Sequence, residues 1–129
     1  MGTPSGRVTA DMITEDMEAL AALIRPGVDR PVTTDPRNLA VPCVLVEPPR
    51  LAPADTLCGD TRARYSVLVV GLPGARAELE PLAVLLAAVL TALDAASLPW
   101  LLAEPVAYYP LAAAQSVEPS QAYRVQIGE

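Results

Sequence analysis

The segment LAVLLAAVLTAL, residues 82–93, carries no charge over twelve consecutive positions. A bilayer span needs about 20 apolar residues, so this stretch is too short to cross a membrane. Its length and its alanine and leucine content suit a helix. Pro81 is tolerated only in a helix's first turn, where its missing N–H has no intrahelical partner anyway, so the helix is predicted over 78–95. A helix that is apolar all round must be buried on more than one side. One side is expected to face a sheet, and another the chain's first helix or a neighbouring subunit.

The sheet is sought in the remaining apolar runs. VPCVLVE, residues 41–47, reads as a strand that Pro48-Pro49 ends, because neither proline donates to a ladder. Residues 62–70, RARYSVLVV, read as a second strand that starts charged and ends apolar. Residues 105–111 read as a third, and QAYRVQI, 121–127, as a fourth, with Tyr123, Val125 and Ile127 facing inward and Ala122, Arg124 and Gln126 outward. Ile13, Met17, Leu20, Ala21 and Ile24 recur at helical spacing and predict a first helix. Thr9 or Asp11 is placed to cap it, Asp11, Glu15 and Asp16 suit its positive end, and Arg25-Pro26-Gly27 ends it. Residues 26–40, with three prolines, read as extended loop. The expected fold is α+β: a two-layer sandwich of a four-stranded, mainly antiparallel sheet and two helices, in the order α-β-β-α-β-β. It forms one domain over 9–129, after a disordered tail at 1–8, with a long loop at 48–60.

The chain has 129 residues, 52% of them hydrophobic and 19% charged, which suits a single globular core. All nine basic residues are arginine, a bias of the kind a GC-rich genome imposes. The net charge of −6 argues against nucleic acid as the main partner, since phosphate binding calls for a basic face. MGTPSGRVTAD has no apolar leader core, so no signal peptide is expected, and Gly6 stands where a myristoylation motif needs Ser or Thr. Cys43 and Cys58 are too few for a disulfide framework. In a hairpin Cys58 falls roughly four residues, about 13 Å, from Cys43, so both are read as reduced thiols in a reducing cytosol.

Catalytic and metal-binding patterns are missing from the sequence. The chain has no histidine, which removes Ser-His-Asp and Cys-His nucleophile pairs and His-containing metal sites. It also has no lysine, and its two cysteines make no CxxC pair. Asp55 and Asp60 lie in one loop and read as solvated carboxylates before they read as cation ligands. VLVVGLPGARAELE sets a glycine turn between a strand and a helix, the setting in which helix N-termini bind phosphate. It holds only Gly71 and Gly74, without a complete phosphate-loop motif, and Glu78 and Glu80 would repel an anion there. A tight strand-to-helix connection is the simpler reading. Trp100, after Pro99, reads as a core anchor at the helix exit, and Tyr65, Tyr108, Tyr109 and Tyr123 as cross-strand packing residues. Neither a catalytic residue nor a cofactor is expected.

The order of these pieces resembles the tail terminator and minor tail proteins of long-tailed bacteriophages, in particular those of actinobacterial hosts. The resemblance lies in a short N-terminal helix, then VLVEPPRLAPADTLCGDTRARYSVLVV, LEPLAVLLAAVLTALD and a closing AYRVQI, covering roughly 9–127. It implies a structural, non-enzymatic protein of the virion, assembled in the host cytoplasm. Its partners would be its own copies in a ring, expected to be a hexamer, the major tail tube protein and the head–tail connector proteins, with no specific nucleic-acid or membrane binding. In that setting the loop at 48–60 would be a contact arm, with Arg50, Leu51, Asp55, Leu57, Asp60, Arg62 and Arg64 as the candidate subunit interface. Alternatives are another neck or minor tail component, or a small regulatory domain that binds an anion at the Gly71–Gly74 turn.

Overall fold

The computed structural model describes residues 10–38, 42–53, 61–73, 79–108 and 120–128. Two helices, α1 (Ala10–Ile24) and α2 (Leu79–Ala95), accompany five strands: β1 (Val32–Thr33), β2 (Cys43–Pro53), β3 (Thr61–Pro73), β4 (Trp100–Tyr108) and β5 (Ser120–Ile127). The fold is α+β, as expected, but the sheet has five strands rather than four, in the order β1-β2-β3-β5-β4, and is mixed, with one parallel pair beside three antiparallel ones. The additional strand, β1, lies in the segment read as loop. It pairs parallel to β2, with Val32 beside Val44 and Thr33 beside Leu45.

Both helices cover one face of the sheet. Met17, Leu20, Ala21 and Ile24 of α1 and Leu82, Leu85, Val89 and Leu93 of α2 share one apolar cluster with Val44, Val46, Val67, Val69 and Val125. The residues next to them along each strand point to the opposite face, as pleating dictates. Cys43, Leu45, Leu68, Val70 and Ala122 form a second buried cluster there, so the face of β5 read as outward is also partly core. Tyr123, Val125 and Ile127 do face the helices.

Two close approaches fix how α2 lies. A Cβ on Gly27 would stand 2.8 Å from Cβ of Ala92, and one on Gly71 would stand 3.2 Å from the Gln121 carbonyl oxygen and 3.3 Å from Cβ of Leu82. Each glycine therefore lets a backbone approach that a side chain would hold off. Arg25 closes the turn after α1, donating from Nε and Nη2 to the Val32 carbonyl oxygen at 3.3 and 3.2 Å. With the Val44 N–H bonded to the Pro31 carbonyl at 2.8 Å, this ties the short β1 to the body.

Three further expectations change. Pro48-Pro49 does not end its strand: β2 continues to Pro53, and the register against β3 shifts between Glu47 and Arg50. The prolines occupy a β-bulge, where the ladder is already interrupted and a missing N–H removes little. Trp100 is not a core anchor. It opens the edge strand β4, 38% exposed, beside the exposed Leu101 and Leu102. The helix α2 is buried along one stripe rather than all round, and Val84 on its outer side is 66% exposed.

The stripe makes a direct test. Leu93 is fully buried, so Leu93→Ala is expected to lower unfolding free energy by about 2–5 kcal/mol. Val84→Ala is expected to stay within about 0.5 kcal/mol. Urea denaturation of the two variants measures both.

Candidate functional site

The bulge turns a short hairpin into a long one. Beyond it Arg50 pairs with Arg64, Leu51 with Ala63, Ala52 with Arg62 and Pro53 with Thr61. β5 pairs with β3 only from Ser66 onward, and β1 pairs only with Val44 and Leu45. Among the described residues, 50–53 and 61–64 therefore form a two-stranded arm with no further strand on either side. Leu51 on this arm is 51% exposed, and Arg50 and Arg62 are exposed.

Of the expected interface residues, the structure brings Arg50, Leu51, Arg62 and Arg64 together on this arm. Asp55, Leu57 and Asp60 lie outside the described residues, as do Cys58, Gly74, Glu78, Tyr109, Thr9 and the tail at 1–8. The loop expected at 48–60 is strand as far as Pro53. The arginines are the distinctive feature. Arg50 and Arg64 stand directly opposite each other, and like charges so placed repel. Arg62 follows two residues from Arg64 and so lies on the same face. Among the described residues none of the three makes an ion pair or side-chain hydrogen bond, whereas Arg25, Arg37 and Arg124 all do.

Farther along that face lies a charge network that the sequence reading did not anticipate. Arg124 of β5 reaches across β3 to Glu47 of β2, donating from Nε at 2.8 Å and Nη2 at 3.1 Å. Ser66 of β3 lies between them and donates to the same Glu47 carboxylate at 2.9 Å. The Glu47 hydrogen bond raises the Arg124 pKa, against the opposing effect of burial, and the charges of Glu47 and Glu104 add to it. The side chains of Arg124 and Glu47 are 28% and 20% exposed, so the pair is partly shielded from water. Alternation in QAYRVQI was the available signal, since it put Arg124 on the face opposite the helices.

On the helix side, α1 presents acid to solvent. Asp11, Glu15 and Glu18, spaced i, i+4 and i+7, make one exposed row opposite the buried stripe. Glu18 accepts a hydrogen bond from Thr34 Oγ1 at 2.7 Å and lies 4.0 Å from Arg25. Asp16, on the flank, accepts from Tyr65 Oη at 3.1 Å. That contact joins α1 to the base of the arm. Burial, then the hydrogen bond to Asp16, pushes the Tyr65 hydroxyl up to about 12.

Cys43 is fully buried, and desolvation pushes its thiol up to about 11. A buried neutral thiol of this kind is a packing group and a poor nucleophile. An open cleft of about 320 Å³ between α2 and the β4–β5 pair is lined mainly by Leu79, Leu82, Pro105, Val106 and Tyr123, without a charged group. Gly71 lies within β3 and backs onto Leu82, which gives it a packing role. Among the described residues no three His, Cys, Asp or Glu side chains are grouped to hold a metal, and no helix is long and apolar enough to cross a membrane. The chain matches no protein-family model, no curated protein and no solved structure.

The two kinds of arginine separate in a stability measurement. Arg124→Ala leaves Glu47 without its charged partner and is expected to cost about 1–3 kcal/mol. Arg62→Ala, at an exposed position with no ion pair among the described residues, is expected to change stability by less than about 0.5 kcal/mol. Thermal or urea unfolding reads both.

Alkaline pH gives a second test. The folded pKa values of Cys43 and Tyr65, about 11 and about 12, lie above the ordinary 9.0 and 10.0. Both groups thus favour the folded state while protonated. Their contribution is complete below the ordinary values and is lost as pH rises through the raised ones. Unfolding free energy is expected to fall between about pH 9 and 12. In Cys43→Ala the lower part of that fall is expected to flatten.

Proposed function

We propose that this chain is a structural subunit of a long-tailed phage, of the tail-terminator kind, which closes into a ring that caps the tail tube and joins it to the head connector. The observation that carries the reading is the arm formed by residues 50–53 and 61–64. It is built of regular, proline-containing strand, so little backbone freedom is lost when it docks. It exposes Leu51, Arg50 and Arg62, carries the half-buried Arg64 beside them, all three arginines without an ion pair among the described residues, and it lies outside both apolar clusters of the subunit. A part that adds charge and apolar surface without adding to the core is suited to a neighbour. Head-to-tail repetition of such a contact forms a ring when the rotation closes, and the resemblance implies six copies in it.

Less supports the anion-binding alternative. Gly71 is occupied by packing against Leu82, and α2 carries Glu80 in its first turn, where an anion would be repelled. The buried thiol and the lack of histidine offer no activated nucleophile for a hydrolase.

The test joins the chain to its tube. Expressed with a tail-tube protein of a long-tailed phage, a tagged chain is expected at one end of tubes of uniform length in electron micrographs. Replacing residues 50–64 by a short Gly-Ser turn keeps the Glu47–Ser66 pairing, and this variant is expected to melt cooperatively yet leave tubes uncapped. Tubes of unchanged length distribution, unlabelled at both ends with the intact chain, would reject the terminator reading.

A further inference from the structure

We infer that the arginine arm of one subunit seats on the acidic row of α1 of a second copy, making a head-to-tail contact between two different surfaces of the same chain. The inference rests on the ring reading and specifies which surfaces meet.

Arg62 and Arg64 alternate with Ala63 and Tyr65 along β3, and so share a face with Ser66, Leu68 and Val70. Arg50, opposite Arg64, belongs to that face as well. The helices cover the other face, where Tyr65 packs and its hydroxyl meets Asp16 of α1. Asp11 and Glu15 project from the side of α1 that points away from the sheet. Cation and anion are thus turned to opposite sides of one rigid body. No side-chain rotation brings them together within a subunit.

Both halves lack partners among the described residues. Asp11 and Glu15 make no ion pair, in contrast to Glu18, which is engaged by Thr34 and Arg25. Arg50, Arg62 and Arg64 are equally unpaired, and the first and last repel each other across the hairpin. An anionic surface laid on the arm would relieve that repulsion. The occupant is assigned as a second copy because the same chain exposes the complementary row, at carboxylate positions one helical turn apart. With a net charge of −6, copies repel one another in general, so local complementarity also selects one orientation among many. A contact between unlike surfaces leaves one of each free at its ends, and so it propagates until a ring closes.

Two pairs of charge reversals test this. Arg62→Glu with Arg64→Glu, and separately Asp11→Arg with Glu15→Arg, are compared with the unaltered chain by sedimentation velocity across a concentration series at low salt. Circular dichroism establishes that each is folded, and Arg62→Gln with Arg64→Gln provides a milder form. The unaltered chain is expected to self-associate, each reversal to weaken association about tenfold or more, and the combined fourfold variant to restore it. At about 1 M salt, where screening acts within about 3 Å, association of the unaltered chain is expected to weaken as well. An unaltered chain that stays monomeric throughout overturns the inference. So do reversals that leave association unchanged, or a fourfold variant that is not rescued. A labelled DNA duplex serves as the competing anion: loss of duplex binding in the arginine reversals, with self-association intact, assigns the arm to phosphate and also overturns the inference. If copies associate through these charges but tubes remain uncapped, the contact stands and the tail reading fails.

Discussion

Strand β3 runs through the middle of the sheet with Val67, Leu68, Val69 and Val70 fully buried, so hydrophobicity alone does not distinguish its two faces. A slip of one residue would exchange the helix-facing and opposite clusters, yet apolar side chains would still meet apolar side chains. Register has to be pinned by groups that tolerate only one position. The Glu47–Ser66–Arg124 bonds do this, because they join β2, β3 and β5, with Arg124 reaching diagonally from its place opposite Leu68. Gly71 does it at the other end, since a Cβ there would crowd the Gln121 carbonyl oxygen at 3.2 Å and Cβ of Leu82 at 3.3 Å. Valines fill the sheet, and a few polar and small residues decide which way it is read.

That pinning also places the arm. Just past the Glu47–Ser66 level the bulge at Pro48-Pro49 inserts an extra residue and increases local twist. β2 and β3 then continue together for four more pairs, after β5 has ended. The arm is therefore rooted in the most constrained part of the sheet. A small rotation at the bulge would swing Arg50, Arg62 and Arg64 as a group rather than singly. Tyr65, hydrogen-bonded to Asp16, braces the arm's base against α1 from the other side.

The helices were the most legible elements, because an apolar stripe at helical spacing survives any tertiary context: Ile13, Met17, Leu20 and Ile24 lie toward the core as their spacing requires. The alternation of QAYRVQI likewise marked β5. β1 was not legible. Two residues between Pro31 and Pro36 carry no periodicity, and they become strand through contacts distant in sequence, namely Arg25 on the Val32 carbonyl and Val44 on the Pro31 carbonyl. Pro48-Pro49 misled for a related reason. A missing N–H ends a regular ladder but not a bulged one, and the bulge is a property of the pair of strands. Trp100 shows the limit of residue type as a guide: large and apolar, it nevertheless begins an edge strand. The arm's arginines were visible as residues, but their lack of carboxylate partners among the described residues was not.

The charges of this protein thus fall into two sets that respond differently to their surroundings. Glu47 and Arg124 are partly shielded and doubly hydrogen-bonded, so dissolved salt screens them little and their contribution belongs to the fold. Arg50 and Arg62 on one face, and Asp11 and Glu15 on the other, lie in water, where an unpaired charge contributes almost nothing to the stability of the subunit that bears it. Exposed charge of this second kind can change sign by substitution with little effect on folding. The same change alters which surface another molecule presents to it. Fold and recognition are therefore separable in this chain: the first is held at the level of Glu47, and the second is displayed one bulge farther along the same two strands.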